Sequence, residues 1–113
     1  EIDPFEHNII KSKNIKILNN IRDICNICEN FDNIHISFDV DSLDPSYLSS
    51  TGTKVEDGVE LNEILDMIQY IKDKIFNKSS INFDIVEYNP NIGSELEKLK
   101  SKKTINLIID SLF

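Results

Sequence analysis

The stretch I-H-I-S-F-D-V-D-S-L-D-P, residues 34–45, decides how this sequence is read. Ile34, Ile36, Phe38 and Val40 fall on one side of a period-two pattern, and His35, Ser37, Asp39 and Asp41 fall on the other, which predicts a strand over 34–41. On such a strand Asp39 and Asp41 point the same way, about 6–7 Å apart along it. Acids this close repel one another, and partial burial raises the cost. Either the stretch is solvated or something positively charged sits there. Two carboxylates so placed can reach a pair of divalent ions about 3.5–4 Å apart. Their hard oxygens favour magnesium, calcium or manganese over softer metals. A solvated strand end accounts for D-x-D alone about equally well.

Working outward, composition bounds the choice. The 113 residues are the size of one ordinary domain, with 40% hydrophobic and 28% charged positions. Twenty acids against 12 bases leave a net charge of −8, and no basic stripe is present to neutralise phosphates, so nucleic acid is excluded as a default partner. A cationic substrate or metal ions fit that balance. No run approaches the roughly 20 apolar residues of a membrane span. Cys25 and Cys28 do not make a disulfide framework, which favours a reducing, cytoplasmic compartment. Glu1 rather than Met opens the sequence, which leaves an upstream targeting segment open.

The flanks read as one continuous α/β segment. D-P-F-E-H-N-I-I-K-S (3–12) starts as a helix with Pro4 in its first turn, and I-K-I-L (15–18) suits a short strand. Ile21, Ile24, Cys25 and Cys28 have helical spacing, as do residues 61, 64, 65, 68, 71 and 75. Asp57 with Glu60 has the pattern of a capping box before that second helix. I-N-F-D-I-V-E (81–87) predicts a strand, ended by the turn Y-N-P-N-I-G. Ser94 and Glu97 form another capping-box pattern, ahead of a last helix running to about Leu112. Alternating strands and helices predict a parallel sheet covered on both faces, with ligands beyond the carboxyl ends of its strands. Asp39, Asp41 and Glu87 fall at those ends.

An EF-hand loop counted from Asp39 would need glycine at 44 and glutamate at 50, where the chain has Asp44 and Ser50. A haloacid-dehalogenase-like phosphatase also begins with a strand and D-x-D, but expects threonine or valine where Leu43 stands, and a downstream acidic pair for magnesium is not evident. The longer string decides. S-F-D-V-D-S-L-D-P-S-Y-L-S-S-T-G-T (37–53) resembles the ureohydrolase signature. E-I-D-P-F-E-H (1–7) and F-D-I-V-E-Y-N-P (83–90) resemble two further segments of the same family, in its order. The Asp-Pro-x-Glu segment makes the resemblance strongest to the C-terminal part of an arginase.

The resemblance implies that residues 1–113 are the C-terminal segment of a single three-layer αβα arginase-like domain with a parallel sheet. It implies that Asp39 bridges two manganese ions and that Asp41 binds one of them. The ions would activate a water for attack on the guanidinium carbon of L-arginine, giving L-ornithine and urea. Glu87 resembles the glutamate that salt-bridges the guanidinium, Asp3 and Glu6 the acids that read the α-amino group, and Thr53 a hydroxyl near the metals. Asp44, His7 and His35 read as structural, and Cys25 with Cys28 lacks the second pair that a zinc site needs. The family's metal-binding histidines, its D-A-H-x-D motif and its proton-shuttling histidine belong to an earlier part of the chain. Lys54 and Asp57 stand where proline and glycine are usual, and Asn62 where arginases often carry an arginine at a trimer contact. An agmatinase, a formimidoylglutamase and a non-catalytic remnant of the family are the alternatives.

Overall fold

The computed structural model describes residues 2–52 and 57–113. Helix α1 (Pro4–Ser12) and helix α2 (Ile21–Cys28) precede strand β1 (Asn33–Asp39), a 3-10 turn (Val40–Ser42) and helix α3 (Leu61–Ile75). Strand β2 (Ser80–Val86) and helix α4 (Glu95–Leu112) complete the chain. The two strands pair in parallel from Asn33 opposite Ser80 to Asp39 opposite Val86, with α3 as the crossover between them. A parallel pair needs such a crossover, because its strands start at the same end of the sheet.

The period-two pattern of β1 holds: Ile34, Ile36 and Phe38 are half-buried and the residues between them exposed. Val40 completes the series, in the turn rather than the strand, and is wholly buried. It joins Leu43, Leu48, Leu61, Ile64 and Ile68 in the main core, which Ile105 and Ile108 of α4 close. The helical spacing read over 61–75 is the face that α3 buries: Leu61, Ile64, Ile68 and Ile75. Helix α4 starts with the expected box, in which Ser94 Oγ accepts from the Glu97 amide and Glu97 Oε1 accepts from the Ser94 amide.

Three expectations fail for physical reasons. Residues 15–18 form no strand; neither β1 nor β2 pairs with them, and Ile15 and Ile17 are 52% and 51% exposed. Asp57 and Glu60 form no capping box. Asp57 takes a left-handed backbone (φ 55°), Glu60 is itself the N-cap without a side-chain cap, and its carboxylate accepts from the Tyr47 hydroxyl. Only one face of the sheet is covered among the described residues, with α2 packed on α3 over its apolar side. The other face, with His35, Ser37, Asp39 and Asn82, stays exposed. The fold class is nonetheless the expected one, α/β with a parallel sheet.

Candidate functional site

Parallel pairing sends both strands out of the sheet at one edge, so Asp39, the last residue of β1, and Glu87, the first after β2, leave it side by side. The sequence pattern placed Asp41 on the strand; the structure places it in the 3-10 turn just beyond. The ladder stops at Asp39, whose Oδ1 accepts the Asp41 amide at 3.0 Å, while Ser42 Oγ donates to the Asp39 carbonyl at 2.7 Å. An aspartate side chain that bonds the backbone two residues on offers the chain a turn in place of another ladder pair. That turn folds Asp41 back beside Asp39 instead of extending it along the strand. Burial raises the Asp41 pKa first, then its hydrogen bond with Asp39, then repulsion from Asp39 and Glu87. Three carboxylates therefore share one electrostatic neighbourhood. Among the described residues no lysine or arginine is paired with any of them; the ion pairs are His35–Asp84, Lys78–Glu29 and Lys98–Glu95.

Glu87 has a left-handed backbone, φ 68°. A non-glycine residue held there stores about 1–3 kcal/mol unless its surroundings fix it. The Asn89 amide, donating to the Ser50 carbonyl at 2.9 Å, is the next backbone anchor.

The other residues singled out from sequence fare differently. Asp3 Oδ1 accepts from the Glu6 amide at 2.8 Å and Glu6 Oε2 from the Asp3 amide at 3.0 Å, so both side chains cap α1. None of their hydrogen bonds reaches the Asp39 edge. Thr53 lies outside the described residues. Its neighbour Thr51 is buried, and Thr51 Oγ1 has no partner among the described residues. Asp44 fastens the turn: its Oδ1 takes the Ser46 amide at 2.9 Å, and its own amide donates to the Val59 carbonyl. The Ser46 hydrogen bonds hold its carboxyl below the usual range. Gly58 lies against that turn so closely that a Cβ would sit 2.5 Å from the Asp44 amide nitrogen.

Sequence reasoning missed Asp84. It lies directly opposite Ser37, and its Oδ2 is 3.0 Å from His35 Nε2. The Ser37 hydroxyl first, then His35, lowers its pKa. The signal was the phase of β2: once Asp39 is placed opposite Val86, Asp84 must share a face with Ser37. Cys25 is buried in α2 with its thiol unpaired and its pKa pushed up chiefly by burial.

Manganese or another hard cation suits the donor chemistry of Asp39 and Asp41: carboxylate oxygens, mutually repelling, with no lysine or arginine paired with them among the described residues. Among the described residues no three groups of the metal-binding kinds come together tightly enough to hold an ion by themselves.

Comparison with known proteins matches the Arginase family over residues 2–110. Mouse arginase-1 is 34% identical over 96% of this chain and 36% of its own length. The arginase of Entamoeba histolytica is 37% identical over 74% of this chain and 26% of its own. The solved structure of the Entamoeba enzyme, in complex with L-ornithine, superposes with a TM-score of 0.69 at 28% identity, covering 96% of this chain and 40% of that one. A Bacillus subtilis arginase structure superposes at 0.75 and 24% identity, over 97% and 41%. This chain spans little more than a third of the length of its mammalian relatives. With sequence motifs, strand pairing and family match over nearly its whole length in agreement, the chain belongs to the arginase family.

Proposed function

We propose that the full-length protein carrying this chain is a manganese-dependent arginase, hydrolysing L-arginine to L-ornithine and urea. The observation that carries the reading is the gathering of Asp39, Asp41 and Glu87 at one edge of a parallel sheet, with no lysine or arginine paired with them among the described residues, in a chain 34% identical to an arginase. Asp39 and Asp41 are the residues that would hold metal. Manganese bound there supplies positive charge that relieves their repulsion and lowers the pKa of a water. Glu87 is the complementary group for a guanidinium, which a carboxylate grips by paired charge-assisted hydrogen bonds. Fixing that planar cation beside the aspartates turns an encounter into a positioned attack. Thr53 is assigned to the same site, and Asp3 with Glu6 to the α-amino end of the substrate. The same reading takes the protein to be cytoplasmic, in keeping with unpaired Cys25 and Cys28, and a homo-oligomer.

A second reading is favoured by one observation. Asp3 and Glu6 already spend their carboxylates on capping α1, which leaves the amino-acid end of arginine without an assigned reader and keeps agmatine, which has the same guanidinium and an amine but no carboxylate, as the other substrate. Urea release from both substrates, measured on the full-length protein with manganese, separates the two. Faster turnover of arginine, lost on Asp39→Ala, is the expected result. Equal or faster turnover of agmatine would make it an agmatinase, and no urea from either would defeat the enzyme reading.

A further inference from the structure

Two loops carry the site: residues 40–52 after β1, and residues 87–93 after β2. A group of hydroxyls ties them together. Ser101 of α4 is wholly buried, and its Oγ accepts the amides of both Ser49 and Ser50 at 3.2 Å. Thr104, one turn on, donates to the Tyr47 carbonyl at 2.7 Å. Ser49 Oγ donates to Glu97 Oε2 at 3.1 Å. These bonds pin the first loop to α4. Ser50, also wholly buried, then reaches across: its Oγ donates to the Ile92 carbonyl at 2.8 Å, and its carbonyl accepts the Asn89 amide at 2.9 Å.

Glu87 therefore stands between two anchors, the last ladder pair at Val86 and the Ser50–Asn89 bond. Its left-handed backbone needs both, since a strained residue persists only where its flanks are fixed. Two buried polar side chains with every bond directed at main chain are costly to loosen, because each freed N–H or C=O would lack a partner.

From this geometry we infer that Ser50 and Ser101 are positioning residues, a hydroxyl clamp that sets where Glu87 stands relative to Asp39 and Asp41. The inference rests on the reading of Glu87 as the substrate-holding carboxylate. Ser50→Ala removes the tie to Ile92 and leaves the backbone bond. Ser101→Ala strands the Ser49 and Ser50 amides together.

Amide hydrogen exchange on the full-length protein tests the clamp without reference to activity. Either variant should speed exchange in residues 87–93, although neither substitution lies there, by about ten-fold, with the strands 33–39 and 80–86 unchanged. Loosening confined to 47–52, or spread equally through the strands, overturns the clamp. Should Ser101→Ala fail to fold, Ser50→Ala, which loses one hydroxyl, decides alone. Steady-state kinetics then test the link to Glu87. Ser50→Ala should raise the KM for arginine about five- to ten-fold, with kcat per bound manganese within about two-fold. A merely structural defect would lower the active fraction and leave KM alone. Coupled exchange with an unmoved KM overturns the link to Glu87. If the wild-type protein releases no urea, the functional reading fails while the exchange experiment still decides the clamp.

Discussion

At the scale of single residues, the turn after β1 depends on an atom that is missing. Gly58 fits against Leu43 and Asp44 because it has no Cβ; one placed there would meet the Leu43 carbonyl carbon at 2.6 Å. The contact is with backbone, which cannot swing aside. Gly58→Ala in the full-length protein should therefore cost about 1–3 kcal/mol of stability, read from denaturant midpoints; a loss too small to measure would mean that the turn shifts freely. Asp84 yields a pH prediction. Its folded carboxyl releases its proton more readily than an unfolded one, held down first by Ser37 and then by His35. The contribution is full above about pH 4, the unfolded value, and fades as pH falls through the lower folded one. The stability gap between wild type and Asp84→Asn should be open at pH 6 and close progressively below pH 4. A gap of constant size across that range would rule out the assignment. Asp39 was legible in the sequence because alternation and a strand end are local signals. Asp41 was misplaced because a side-chain bond from Asp39 to the Asp41 amide competes with the ladder, and hydrophobic period is blind to that bond.

At the scale of elements, helix starts show what local chemistry can and cannot settle. Asp3 with Glu6 and Ser94 with Glu97 both close as capping boxes, since each pair satisfies itself within one turn. Asp57 with Glu60 has the same spacing and fails, because Glu60 is drawn to Tyr47, thirteen residues earlier in the chain. The box at α1 also separates two roles for Asp3. Asparagine caps a helix about as well as aspartate but carries no charge. Asp3→Asn in the full-length protein should keep its thermal midpoint. If Asp3 reads an α-amino group, the KM for arginine should rise about ten-fold, the loss of one charge-assisted contact. An unchanged KM would leave Asp3 as a cap alone. The segment 15–18 has strand-like composition and no partner strand here, and pairing, unlike helix capping, cannot be supplied locally.

At the scale of the whole molecule, the described residues hold one covered sheet face, one open face and no group of three metal-binding side chains. Residues 1–113 expressed alone should release no urea from arginine at any manganese concentration and bind the ion weakly at best, as equilibrium dialysis would show. Urea release lost on Asp39→Ala would refute this. In the full-length protein Asp39→Ala should shed more manganese than Asp41→Ala, if Asp39 touches both ions; equal, full metal content in both variants would remove the assignment. The parallel ladder has a consequence in time as well as in space. Asn33 finds its partner only when Ser80 has been made, so β1 emerges from the ribosome long before the strand that completes this edge. At about 5–20 residues per second, the segment between the strands takes about 2–8 s to synthesise. Throughout that interval Ile34, Ile36 and Phe38 lie along an unpaired edge, open to the same strand of a neighbouring nascent chain. The yield of soluble protein should thus depend on how fast codons 40–79 are translated, a dependence that the finished fold, with β2 in place, no longer displays.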